Sequence, residues 1–172
     1  SSPLFGSMIS HSSYAILDGT KSPATLSPQI LSTFFRGAPN RAITGGKDKN
    51  GQPASFNGMG FQGITVSDAF WTWGATKGLN NLQKQRLMMR SFLAGMDVLM
   101  IAKAEFNGAW DYFQMLNAGQ LSDAEKAAIT QEAGFPSFAA LQAKVKERAD
   151  EYAQRIRASK HKVRPVSGMS GQ

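Results

Sequence analysis

The stretch from residue 63 to residue 102 limits what this chain can fold into more than any other part of it. It opens with Gly63-Ile64-Thr65-Val66-Ser67-Asp68, a run rich in β-branched residues that ends on an acid. It closes with Asp97-Val98-Leu99-Met100-Ile101-Ala102, which is nearly all apolar. β-branched side chains fit a pleated surface and lose rotamer freedom in a helix, so both runs read as strands. Between them lies a helical pattern over 79–94, closed by Gly95, a residue that ends helices without steric cost. Strand, helix and strand in that order imply parallel strands joined by a right-handed crossover. The apolar second strand suits a parallel sheet covered on both faces.

The same alternation extends upstream. Ser7-Met8-Ile9-Ser10-His11 reads as a short strand after Gly6, and residues 12–24 read as a loop with a turn at Asp18-Gly19. Ser27-Pro28 then offers an N-cap followed by proline at the first helical position. The helix carries Ile30, Leu31, Phe34 and Phe35 on one face and ends near Gly37. Residues 38–60, rich in Gly, Asn, Pro and Lys, show no period and are expected to form an exposed insertion loop.

Downstream of the second apolar run the chain reads as helical. Phe106, Trp110, Phe113 and Leu116 form one apolar stripe, and Ser122-Asp123-Ala124-Glu125 is a capping-box pattern. Ser137 can cap a long last helix whose Phe138, Leu141, Val145, Ala149, Tyr152 and Ile156 recur every three or four residues. Three strands are too few to close a barrel, which needs eight, so the pattern fits an incomplete barrel or a small open α/β sheet.

Composition removes several chemistries. The 172 residues are 42% apolar and include no cysteine, which excludes disulfides, thiolate catalysis and Cys-based zinc sites. With only His11 and His161 as imidazoles, a His-rich metal centre is not expected either. No apolar run approaches the roughly 20 residues of a membrane span, and Ser1-Ser2-Pro3-Leu4-Phe5 has no signal-peptide pattern. The chain does not begin with Met, and a processed or excised product is the expectation.

The net charge of +7 is concentrated in Arg155, Arg157, Lys160, Lys162 and Arg164. Such a cluster can touch nucleic acid, anionic lipid or acidic glycan, but no aromatic platform accompanies it. The simpler expectation is a solvated helix end with cations complementing the macrodipole. Gly45-Gly46-Lys47 lacks P-loop spacing, and no Ser-centred nucleophile elbow occurs.

Four motifs in order carry a resemblance. They are Ile9-Ser10-His11, then Ser22-Pro23-Ala24-Thr25-Leu26-Ser27-Pro28, then Gly60-Phe61-Gln62-Gly63-Ile64-Thr65-Val66-Ser67-Asp68, and last Leu93-Ala94-Gly95-Met96-Asp97-Val98-Leu99-Met100. Together they resemble the later strands of family 3 glycoside hydrolases, most closely the β-N-acetylhexosaminidase branch. The likeness runs from about Ser7 to Ala102, and Asn117-Ala118-Gly119-Gln120-Leu121-Ser122 resembles the family's terminal helical region more weakly. It implies an α/β fold: the last three βα units of a (β/α)8 TIM-type barrel followed by additional C-terminal helices. Residues 1–160 would form the barrel portion, with 38–58 as an insertion loop, and 161–172 a flexible basic, Ser/Gly-rich tail. The sequence departs from the family in having Ala69 where a second Asp often stands, and it contains no "KHFPGHG"-like segment.

The resemblance implies that Asp68 is the nucleophile of a retaining mechanism, in which one carboxylate attacks the anomeric carbon and a second group protonates the leaving oxygen. A cap after a strand is the competing role for Asp68. His11 and Tyr14 follow a strand on the same expected face and are candidates for substrate binding; a structural His and a half-buried Tyr are the alternatives. Trp71, with Phe70 and Trp73, offers an aromatic platform for a sugar ring, against packing of the next helix. Glu105 follows the last strand, at a position that matches no family acid/base.

The implied function is hydrolysis of terminal β-linked N-acetylglucosamine, from peptidoglycan or chitin fragments, with no metal or cofactor. The carbohydrate substrate would be joined by a second partner, the missing N-terminal barrel half, in the same or another chain. The alternative is a catalytically inactive, barrel-derived glycan-binding or scaffold module. A nucleic-acid-binding protein is a weaker third reading. Bacterial cytoplasm and periplasm or cell envelope are both compatible with the sequence.

Overall fold

The computed structural model describes residues 6–70 and 76–160. The strands are β1 (Gly6–Ile9), β2 (Ala42–Lys47), β3 (Pro53–Asn57), β4 (Ile64–Ala69) and β5 (Val98–Met100). The α-helices are α1 (Ala15–Asp18), α2 (Asn81–Ala94), α3 (Lys103–Asn117), α4 (Asp123–Glu132) and α5 (Phe138–Lys160). A short helical turn at Ala24–Leu26 and a wide, π-type helix at Gln29–Phe35 complete the upstream half. The result is a mixed α/β arrangement with a small parallel sheet.

That sheet has three strands in the order β1-β4-β5. Both neighbours run parallel to β4, with Ile9 opposite Ser67 and Val66 opposite Val98. The strand expected over 63–68 is therefore the central one. Along it Thr65, Ser67 and Ala69 are buried, while Ile64, Val66 and Asp68 are half-buried, the alternation a strand imposes. Between β4 and β5 the register shifts, and the Ser67 hydroxyl fills the gap by accepting from Met100 N–H at 2.9 Å.

Helices cover the buried face of the sheet. Ile9 packs with Ala24, Ile30, Leu31, Ala94 and Met96. A second core joins the helices, built from Met89, Leu93, Tyr112, Leu116, Leu121, Ile129, Leu141 and Val145. On the opposite face Met8, in register with Val66, is 66% exposed. The sheet is thus clothed on one side, and among the described residues its outer strands β1 and β5 each have an unpaired edge.

Local signals explain most boundaries. Asn80 caps α2 in a reciprocal capping box with Gln83, and Gly95 ends that helix at φ +129°. Ser27 Oγ accepts from Ile30 N–H at 3.2 Å, so the Ser27-Pro28 start is the one observed. Ser137 Oγ accepts from Ala140 N–H at 3.2 Å at the start of α5. Ser122 accepts from Glu125 N–H, but Glu125 does not complete the box. Its carboxylate instead accepts from Tyr112 Oη and Arg86 Nη1, both at 2.7 Å, in the helical core.

Three expectations are corrected. Residues 38–60 do not form an irregular loop; they hold the antiparallel hairpin β2–β3. The loop over 12–24 contains the helical turn α1. The basic end of α5 is not wholly solvated, because Arg155 turns inward to bond Asp97 at 2.5 and 2.9 Å. Arg157 is exposed. Lys162 and Arg164 lie outside the described residues, as does the tail over 161–172.

Candidate active site

Parallel strands deliver whatever follows them to one rim of the sheet, the rim at their C-terminal ends. Three segments meet there: Asp68 and Phe70 from β4, Ser10 to Tyr14 after β1, and Ile101 onward after β5. Asp68 is half-buried on the side of β4 opposite the helices. Its Oδ1 accepts from Ala69 N–H at 2.7 Å, a bond that orients the carboxylate.

His11 is brought to Asp68. Its Nδ1 lies 2.8 Å from Thr25 Oγ1, and its ring meets Phe70 edge-on at 4.9 Å. Burial holds the imidazole below the usual histidine range, while the Asp68 charge and the backbone of Ala69 and Asp68 pull the other way. At neutral pH His11 is therefore an uncharged hydrogen-bonding group beside a carboxylate. The pairing of strand-end Asp with His from the neighbouring strand follows from the parallel register.

Tyr14 lies at the same rim, 44% exposed, with its hydroxyl 3.5 Å from Ser10 Oγ. Trp71 and Trp73 lie outside the described residues. Glu105 sits in the first turn of α3 and is paired with α2, its Oε1 3.4 Å from Lys84 Nζ. Thr25 and Phe70 both touch His11; Phe70 was expected as part of an aromatic platform or as helix packing rather than as a neighbour of His11, and Thr25 carried no signal of its own. Thr25 stands in the Pro23-Ala24-Thr25-Leu26-Ser27 motif, and only the fold puts it opposite His11, 14 residues away.

The other end of the sheet holds a separate cluster. Asp97, buried, accepts from Arg36 at 2.6 Å, from Arg155 at 2.5 Å and from Thr65 N–H at 2.9 Å, and Arg148 lies 3.5 Å away. These residues sit at the N-terminal ends of β4 and β5, the end a parallel sheet reserves for stability rather than chemistry. No group of three or more His, Asp or Glu side chains among the described residues converges as a metal site would require.

With this geometry in view, comparison with solved structures is informative. The chain superposes on a glycoside hydrolase family 3 β-N-acetylglucosaminidase from Paenibacillus sp. str. FPU-7 with a TM-score of 0.55 and 18% identity. That match covers 98% of this chain and 25% of the other. The fold resembles that of family 3 glycoside hydrolases. A glycosyl hydrolase of the same family from Mycobacterium smegmatis aligns at 23% identity over 74% of this chain and 33% of its own, with a TM-score of 0.41. The chain thus spans about a quarter to a third of the length of these solved structures. No family model matches the sequence, and no curated protein is similar to it. No helix among the described residues is long and apolar enough to cross a membrane.

Proposed function

We propose that this chain is the nucleophile-bearing portion of a retaining β-N-acetylhexosaminidase, built as the last three βα units of a (β/α)8 barrel. The observation that carries this reading is the half-buried Asp68 at the C-terminal end of the central parallel strand, with neutral His11 beside it. In the proposed reaction the Asp68 carboxylate attacks the anomeric carbon of a terminal β-linked N-acetylglucosamine and the leaving oxygen departs. Water then hydrolyses the glycosyl-enzyme and frees the carboxylate. His11 and Tyr14 contribute hydrogen bonds to sugar hydroxyls, and Trp71 an apolar ring for the sugar face.

The proton donor comes from elsewhere. A retaining pair stands about 5–5.5 Å apart, and Glu105, the acid that follows β5, faces Lys84 instead. The unpaired edges of β1 and β5 support a complement of further parallel strands, on the same polypeptide or another. Beside each edge lies an apolar groove, of about 370 Å3 at β1 and about 430 Å3 at β5. In the second, Phe106 and Trp110 are 55% and 53% exposed.

The test is hydrolysis of a chromogenic N-acetyl-β-glucosaminide by the chain combined with the upstream barrel portion. Asp68→Asn should lower kcat/KM by at least about 10³-fold, the scale of losing a group that acts on the transition state. Activity that survives this substitution removes Asp68 as nucleophile. Ala69 in place of a second acid, together with Glu105 paired to Lys84, favours one further reading, an inactive glycan-binding or scaffold module. Binding of N-acetylglucosamine oligomers without turnover by the combined protein would support that reading.

A further inference from the structure

The hairpin β2–β3 belongs to neither the sheet nor the helical core, yet its position is closely defined. It leaves the π-type helix at its C-terminal end, where Met59 N–H donates to Phe34 O at 2.8 Å and Gly60 N–H to Gly37 O at 2.7 Å. It then runs back along that helix, and Gln29 Nε2 donates to Thr44 O at 3.2 Å near the helix start. Its distal half therefore reaches the rim of the sheet that carries Asp68. There it meets α1, the helical turn that follows Tyr14.

The contact is backbone on backbone. A Cβ added at Gly46 would fall 2.0 Å from Ala15 O and 2.7 Å from Gly19 Cα; one added at Gly45 would fall 2.4 Å from Ile16 O. Real Cβ contacts do not reach such distances, so two adjacent residues of β2 must lack side chains for the hairpin to seat. The loop it presses on spans residues 10–25. That loop is closed internally by Ala24 N–H to Ser12 O at 2.8 Å and by Ser13 Oγ–H to Lys21 O at 2.8 Å. It carries both His11 and Tyr14.

We propose that the hairpin is a brace: by seating Gly45 and Gly46 on α1 it fixes the loop over 10–25, and with it the position of His11 and Tyr14 relative to Asp68. Gly45 and Gly46 are positioning residues. The brace acts from outside the rim, on the part of the loop beyond His11, which itself lies against Asp68 and Phe70. Its catalytic meaning rests on the reading of Asp68 as nucleophile; the mechanical claim does not.

Gly46→Val tests it on the chain as it stands, with Lys49→Ala on the exposed hairpin tip as control. In Gly46→Val the Ala24 amide should exchange at least about tenfold faster as the loop opens locally, while amides of Leu116 and Val145 in the helical core keep their protection. The His11 imidazole, followed by NMR, should titrate closer to an exposed histidine, with Asp68 still the charged group facing it. Lys49→Ala should change neither. Should Gly46→Val fail to fold, Gly46→Ala intrudes least and Gln29→Ala loosens the same strand without crowding, and both should move the same readouts in the same direction. Unchanged Ala24 exchange and His11 titration in folded variants would overturn the brace. In the combined enzyme, a raised KM for Gly46→Ala beside a collapsed kcat for Asp68→Asn supports both readings. If Asp68→Asn remains active while the exchange and titration effects persist, the nucleophile falls and the brace stands.

Discussion

Replacing Asp97 by Asn should unsettle the whole molecule, and the size of the effect can be worked from its surroundings. The carboxylate side chain is fully buried and faces Arg36, Arg148 and Arg155, whose side chains are 16%, 4% and 17% exposed. Removing one partner of a buried ion pair costs about 3–5 kcal/mol, because the remaining charge has lost its counter-ion without regaining water. Arg36 and Arg155 keep enough exposure to hydrate in part, and Arg148 retains Glu151, so the lower end applies: about 3 kcal/mol. For a chain of this length that is a fall in Tm of about 6–12 °C. Urea unfolding followed by far-UV circular dichroism measures it, with the midpoint lowered and the slope unchanged. Arg155→Ala, made with and without Asp97→Asn, should show a coupling of about 1–3 kcal/mol. A loss under about 1 kcal/mol for Asp97→Asn, or additivity in that cycle, would refute the reasoning and make the cluster a surface feature.

Further outcomes follow from other contacts. Tyr112→Phe leaves Glu125 Oε1 without its 2.7 Å donor inside the helical core, at a cost of about 1.5–3 kcal/mol in the same unfolding assay. Burial and the bond to Glu125 push the Tyr112 phenol well above the ordinary tyrosine range, so it should stay protonated in alkaline difference spectra while other tyrosines ionise. Leu116→Ala, at a fully buried position of that core, should cost about 2–5 kcal/mol. His11 resists protonation in the folded state because it is buried. The unfolded chain therefore binds the extra proton first, and stability falls as pH drops from 6.5 through the lowered native value. His11→Gln should lose less stability than the parent between pH 7 and pH 5.

The parallel sheet was legible because its signals are local. β-branched residues mark β4 within a residue of its observed bounds, and Gly95 marks the end of α2, whereas its Asn80 capping box emerged only in the fold. The hairpin was hidden for a physical reason. A register shift between Thr44 and Lys47 breaks the period-2 pattern, and Gly45 and Gly46 stand where side chains would otherwise report a strand. The expected stripe on α3 splits in the fold: Leu116 is fully buried, while Phe106 and Trp110 are more than half exposed. Long-range partners left no local trace. Arg155 and Asp97 are 58 residues apart, and nothing in the periodicity of α5 distinguishes that arginine from its solvated neighbours. At the candidate site, Asp68 and His11 were readable as strand-end residues, whereas the contacts of Thr25 and Phe70 with His11 became visible only in the fold.

The reach of α5 back to Asp97 also sets an order of events during synthesis. When β5 leaves the ribosome, Arg36 has already emerged, but Arg148 and Arg155 have yet to be made. Until the final helix appears, the buried acid lacks most of its neutralising charge, and the strands it ties together through Thr65 remain only partly secured. A nascent chain stalled shortly after residue 132 should therefore be more readily digested at this end of the sheet than one released after α5, which makes the last helix the latch of the domain rather than an appendage to it.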